Sequence, residues 1–395
     1  MRTMSLFSEE QGGSVHGGTP PSTQADASLC VPELREGRGA FRLFVEGDAL
    51  FDAMIAAIEN ARRDIRMESY IFAADEVGAR FVAALAAKAR AGLDVRLHLD
   101  AFGAGQRSFQ NLQRELEGSG VQFRWFRPFG ALHPLQYLQR NHRKLLIVDD
   151  GDAFLGGFNI RRLNSRRLHG ETRQRDTHVR VSGPLAKLAI GHFDRLWHDA
   201  HQFPASAIPE DPKNMEALLV PSYSRHCQHR LACLHAGLIA KAQAHVYLTS
   251  PYFGPGIMID QALQTAAMRG VDVRLLVPRR GDPLVAGWAT KAAYALLLTA
   301  GVRIYEYLPR QLHAKTSVID ATWSIVGSAN LDYLSLFVNQ ELVLLARDQT
   351  LTEQLQAQYM DDIAEAEEIT LSIWHRRGWR ARGLEAIGWT ARQLL

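Results

Sequence analysis

Asn141-His142-Arg143-Lys144-Leu145-Leu146-Ile147-Val148-Asp149, followed by Gly156-Gly157-Phe158-Asn159, returns downstream as Leu312-His313-Ala314-Lys315-Thr316-Ser317-Val318-Ile319-Asp320, followed by Gly327-Ser328-Ala329-Asn330. In both copies Lys, Asp and Asn follow the His by two, seven and seventeen residues, a match that chance does not readily produce twice. Side chains two apart on a strand share a face, so the apolar alternating run predicts that His142 and Lys144 point together into a cleft, as do His313 and Lys315. An Asn after a Gly-Gly or Gly-Ser turn can bring an amide to the same place, because glycine allows close backbone approach. Two such halves face to face would gather two imidazoles, two ammoniums and two amides, a phosphate-sized site.

The residue types indicate the chemistry. Lys144, Lys315, Asn159 and Asn330 offer donors to phosphate oxygens and to the charge that grows on them in a transition state. One imidazole can attack phosphorus, and the other can protonate the leaving alkoxide and then deprotonate the acceptor. This scheme requires no metal and no cofactor. A neutral nucleophile needs its second ring nitrogen held, which fixes the tautomer. Glu341, in the run Glu341-Leu342-Val343-Leu344-Leu345, is the candidate in the second half, and Asp176, opening Asp176-Thr177-His178-Val179, is the counterpart in the first. Asp149 and Asp320 complete the catalytic motif. They lie an odd number of residues beyond His and Lys, so on a regular strand they face the other way and are expected to support the strand-end turn.

Both segments match the duplicated His-x-Lys-x4-Asp motif, and from about residue 40 to 375 the chain resembles the phospholipase D superfamily. Within it the sequence is most similar to the bacterial cardiolipin synthases that lack transmembrane helices, through Glu68-Ser69-Tyr70-Ile71-Phe72, Arg140-Asn141-His142-Arg143-Lys144, Ser250-Pro251-Tyr252-Phe253-Gly254-Pro255-Gly256 and Gly327-Ser328-Ala329-Asn330-Leu331-Asp332. The resemblance implies two similar α/β domains in a pseudo-twofold arrangement around one active site. It implies transfer of a phosphatidyl group between two phosphatidylglycerol molecules through a phosphohistidine, with release of glycerol. His142 is the expected nucleophile, because the first motif usually supplies it, and His313 the acid and base. Phosphatidylethanolamine is a further candidate substrate, and an anionic membrane surface the expected partner, reached peripherally on the cytoplasmic face of a bacterial membrane. The alternatives are a phosphodiesterase that hydrolyses phospholipid or nucleic acid, and a membrane-binding scaffold with a relic site; the intact motifs disfavour the last.

With 395 residues, 47% of them hydrophobic, the chain exceeds the usual single core and has enough apolar material for two. A net charge of +3 gives no indication of a generally basic nucleic-acid coat, and no nucleic-acid partner is expected. Cys30, Cys227 and Cys233 are an odd number without metal-ligand spacing, which suggests a reducing compartment.

Along the chain, residues 1–39 read as a disordered Gly/Ser/Pro-rich tail without a signal-like apolar core. Residues 40–203 form the expected first domain, 204–217 a linker, 218–370 the second domain, and 371–395 a basic, aromatic, amphipathic segment suited to a membrane interface. Glu68 and Asp100 fall at strand ends, where exposed carboxylates are the commoner case. Between Val121 and Arg140, aromatics interleave with arginines, as suits an anionic lipid boundary or a loop packed on its own domain; Phe126 and Phe129 are the candidates for excluding water. Arg161, Arg162, Arg166, Arg167, Arg173 and Arg175 crowd the stretch between Asn159 and Asp176 and fit a substrate carrying more than one phosphate. Pro283 to Ala300 is apolar, but Lys291 and its small residues predict a core helix rather than a membrane span.

Overall fold

The computed structural model describes residues 31–37, 41–128, 139–198, 212–222, 229–281 and 284–378. The first half runs β1 (Arg42–Phe44), α1 (Gly47–Asn60), β2 (Asp64–Ser69), α2 (Glu76–Arg90), β3 (Asp94–Asp100), α3 (Gln110–Gly118), β4 (Gln122–Phe126), β5 (Leu145–Val148), β6 (Asp152–Gly156), α4 (Arg166–His169), β7 (His178–Ser182) and α5 (Pro184–Trp197). The second repeats the plan with β8 (Ala217–Pro221), α6 (Arg230–Lys241), β9 (His245–Thr249), α7 (Ile257–Met268), β10 (Asp272–Pro278), α8 (Leu284–Ala292), α9 (Tyr294–Thr299), β11 (Arg303–Tyr307), β12 (Thr316–Ile319), β13 (Trp323–Gly327), α10 (Tyr333–Phe337) and β14 (Leu342–Ala346). It then adds α11 (Gln349–Ala364), β15 (Ala366–Ile369) and α12 (Leu371–His375).

Strand order is β1-β7-β6-β5-β2-β3-β4 in one sheet and β8-β14-β13-β12-β9-β10-β11-β15 in the other, the same path twice with one added edge strand. In each sheet three strands joined by helical crossovers run parallel, whereas the motif strand β5 or β12 enters antiparallel. The helices form because their apolar residues recur at helical spacing: Leu50, Phe51, Met54 and Ile58 line the buried face of α1. Facing sides of the two sheets share one core, in which Leu145, Ile147 and Leu155 meet Leu219, Val326 and Leu344, with α5 and α11 filling the same layer. The remaining helices cover the outer faces through separate cores.

Several expectations are corrected. His142-Arg143-Lys144 precedes β5 and His313-Ala314-Lys315 precedes β12; neither lies inside the strand, because their backbone bonds go to the opposite half. Residues 31–37 belong to the fold: Leu34 is buried in the second core, and Gly37 bridges to Asp348. The apolar run after Pro283 is two helices, α8 and α9, and Lys291 lies 3.4 Å from Glu306. No helix among the described residues is long and apolar enough to cross a membrane. Phe126 packs edge-on to His98 as a core residue, while Phe129 and the rest of 129–138 lie outside the described residues. Trp374 docks on Tyr294 with ring centroids 5.0 Å apart, so the start of the terminal segment packs on the protein; residues 379–395 are outside the described residues.

Candidate active site

Each motif enters the site through a short backbone pairing with the other half. Gln340 N donates to Arg140 O at 2.8 Å and His142 N to Gln340 O at 3.0 Å; likewise Arg175 N donates to Gln311 O at 3.0 Å and His313 N to Arg175 O at 2.7 Å. The next residue after each partner is a carboxylate, so Glu341 arrives beside His142 and Asp176 beside His313. His142 Nδ1 lies 2.9 and 3.1 Å from the two Glu341 oxygens, and His313 Nδ1 lies 2.6 Å from Asp176 Oδ2. The sequence reading named both carboxylates, one per half; the structure pairs each with the histidine of the opposite half.

The carboxylates are fully buried and differently supported. Ser328 Oγ donates to Glu341 Oε2 at 2.5 Å, whereas Thr177 N donates to Asp176 Oδ1 at 2.8 Å. Gly157 is required opposite Asp176, since a Cβ there would stand 2.0 Å from Oδ1. A carboxylate only accepts, so an ionised partner keeps the proton on Nδ1 and leaves Nε2 with its lone pair. Burial holds both imidazoles below their ordinary pKa, that of His313 at about 3, with Lys315 adding to the effect. Two neutral imidazoles at neutral pH are the result.

Lys144 and Lys315 are buried beside them. Lys144 Nζ donates to His142 O at 2.6 Å and sits 5.3 Å from the Tyr70 ring centroid; Lys315 Nζ donates to His313 O. Desolvation depresses them to about 7 and about 8, against the support of Glu341 and Asp176. Buried ammoniums this poorly solvated favour an anionic ligand.

Asp149 and Asp320 are not in the cleft, which corrects their place in the catalytic set. Asp149 accepts from the amides of Arg62, Arg63 and Asp64, and Asp320 from those of Gln243, Ala244 and His245. Both sit at φ 54°, a left-handed turn that aspartate tolerates. Glu68 and Asp100, expected at exposed strand ends, are instead buried and hold the motif from below: Asn141 N donates to Asp100 at 3.0 Å and Asn141 Nδ2 to Glu68 at 3.3 Å.

Most of the arginine run serves the fold. Arg162 pairs with Glu76, Arg166 with Glu171, Arg167 with Asp52, Arg173 with Glu46 and Glu171, and Arg175 with buried Asp362 at 2.8 Å. Arg161 donates to Gln174 Oε1 at 2.6 Å and exerts its charge on both motif lysines.

This arrangement has relatives. The family model described as "Cardiolipin synthase, PLD-like domain" matches residues 54–197 and 236–363. The chain belongs to the cardiolipin synthase family. A cardiolipin synthase of Clostridium perfringens is 31% identical over 362 residues, 89% of this chain and 76% of that protein. Cardiolipin synthase B of Salmonella typhi is 32% identical, over 87% of this chain and 85% of its own length. The crystal structure of a phosphatidylserine synthase from Haemophilus influenzae shares the fold, with a TM-score of 0.72 at 14% identity, covering 94% of this chain and all of that one. The chain is accordingly an enzyme, a phosphatidyltransferase of the cardiolipin synthase family.

Sequence reasoning missed three contributors to this site. Ser328 and Asp332 were visible only as residues within the repeat, and Tyr70, whose ring packs 4.8 Å from that of His142, only as part of an apolar strand end. A residue-by-residue comparison of the repeats at positions beyond the shared motif would have singled out the first two.

Proposed function

We propose that this phosphatidyltransferase joins two phosphatidylglycerol molecules into cardiolipin and releases glycerol, by two successive displacements at phosphorus. The observation that carries the reading is the crossed pair of carboxylate-held imidazoles around two buried lysines, Lys144 and Lys315. His142 Nε2 attacks phosphorus as the bond to the glycerol oxygen breaks, and His313, which takes up a proton on Nε2 when the anionic phosphodiester enters, gives that proton to the departing oxygen. His313 then takes the proton of a hydroxyl on the second phosphatidylglycerol; this oxygen attacks phosphorus, the phosphorus–nitrogen bond breaks and His142 is regenerated. Lys144, Lys315, Asn159 and Asn330 hold the phosphate oxygens, and the twin Glu341 contacts to Nδ1 support His142 as nucleophile by fixing the ring. The acceptor must reach the site ahead of water, so the enzyme works at a lipid surface, anionic and on the inner face of the membrane.

The deciding experiment incubates the purified protein with phosphatidylglycerol vesicles and follows lipids by mass spectrometry and glycerol in parallel. Cardiolipin with equimolar glycerol is the expected outcome. Phosphatidic acid alone would replace transfer with hydrolysis. Cardiolipin formed only when phosphatidylethanolamine is added would change the donor.

A further inference from the structure

The offset that relates His142 to His313 relates Asn159 to Asn330 and, two residues on, Arg161 to Asp332. At that last position the pseudo-twofold symmetry reverses charge beside the phosphate cradle. Beyond the burial that dominates both lysines, Arg161 pushes the pKa of Lys144 and Lys315 down, whereas Asp332 supports the charge on Lys315.

The two asparagines are wired in opposite senses as a consequence. Asn159 Oδ1 accepts from Ile71 N at 3.2 Å, so its Nδ2, a donor, is the end left for a ligand. Asn330 Nδ2 donates one of its two hydrogens to Asp332 Oδ2 at 3.0 Å, and Oδ1 is the end that takes no bond. That oxygen is buried and has no hydrogen-bond partner among the described residues. Asp332 is itself fixed, because its Oδ1 accepts from Ser335 N at 2.7 Å and caps α10. A buried acceptor left unpaired is costly, and what satisfies it must be a donor.

We propose that the shared site is polarised across its pseudo-twofold axis: Arg161 and Asn159 Nδ2 receive the phosphate, and Asn330 Oδ1, locked by Asp332, accepts a hydrogen bond from a hydroxyl of a polyol acceptor. The ligand class on the second side is a vicinal diol, one hydroxyl reacting at phosphorus and its neighbour recognised by Asn330. This rests on the phosphatidyl-transfer reading and adds what selects the acceptor. A simple alcohol lacks the second hydroxyl and leaves Oδ1 without a donor from the acceptor, which is how a site built for hydrogen bonding discriminates.

The experiment offers phosphatidylglycerol vesicles an equimolar mixture of 1,2-propanediol and 1-propanol, which differ by the one hydroxyl at issue. The two transfer products are quantified by mass spectrometry within one reaction, so a reduced folded fraction does not move their ratio. The parent enzyme favours the diol. Asp332→Ser, which keeps a capping oxygen, and Asn330→Leu each lower the ratio about tenfold or more, whereas Arg161→Gln raises the KM for the phospholipid and leaves the ratio in place. A parent ratio near one, or an unchanged ratio in either Asp332→Ser or Asn330→Leu, overturns the polarised site. A parent enzyme that forms cardiolipin but neither alcohol product also overturns the polarised site, whereas one that forms no transfer product and no cardiolipin overturns phosphatidyl transfer itself.

Discussion

Replacing Glu341 with Gln isolates the contribution of a charge delivered from the opposite half of the molecule. When His142 becomes cationic, on forming the phosphohistidine, Glu341 faces it at 2.9 Å. With an effective dielectric constant of about 20, that attraction is about 6 kcal/mol. Glutamine retains an acceptor for Nδ1–H, and a hydrogen bond involving a charged group restores about 2 kcal/mol. Ser328 Oγ, which now donates to Oε2, can rotate to accept from the new amide, so the buried shell stays satisfied. About 4 kcal/mol is lost, a fall in kcat of about a thousandfold. The assay is cardiolipin formation from phosphatidylglycerol vesicles, with circular dichroism and thermal unfolding confirming that the variant is folded. A folded Glu341→Gln enzyme with kcat within tenfold of the parent would refute the argument that the crossed carboxylate stabilises the cationic histidine.

Lys144 gives a prediction of opposite sign for stability. Its folded pKa of about 7 lies below the ordinary 10.5, so between these values the unfolded chain binds more protons and stability rises with pH. Lys144→Met should therefore raise the thermal midpoint at pH 7 and abolish transfer, with the thermal gain shrinking toward pH 10; a lowered midpoint at pH 7 contradicts this. Asp149→Ala strands three backbone amides and should cost about 2 to 4 kcal/mol in urea unfolding while leaving turnover per folded molecule near normal. Lost turnover with unchanged stability would return Asp149 to the catalytic set. Arg175→Ala leaves Asp362 buried without its partner and should destabilise by about 3 to 5 kcal/mol, with the double change Arg175→Met and Asp362→Leu recovering most of it. Failure of the double variant to recover would show that the pair is needed for more than charge neutralisation.

The repeat was legible because it is written in adjacent residues: His, Lys and Asn at fixed spacing, between apolar runs that read as strands. It announced two α/β halves and the composition of the cleft. What it left open was which carboxylate meets which imidazole. That is decided by isolated backbone bridges at Asn141 and Arg175, and neither residue carries a local signal for pairing with a segment far away in sequence. Glu68 and Asp100 were misjudged for a similar reason. A strand-end carboxylate reads as solvated until Asn141 is seen to descend onto both. The arginine run shows the converse, since its partners Asp52, Glu46 and Asp362 come from helices and loops remote in sequence. Those partners turn a group that reads as a binding surface into packing.

The crossed wiring also bears on heredity. If each half were expressed as a separate polypeptide, each would carry one imidazole and the carboxylate belonging to the other. Alone, both would be mute; mixed, they would regain activity only as a pair, with a rate that grows with the product of their concentrations. A chain carrying a single copy of the motif would face the same constraint and would have to meet its twin before it could act. Two copies in one reading frame remove that dependence on encounter. They also leave the two sides free to differ, as the Arg161 and Asp332 positions do.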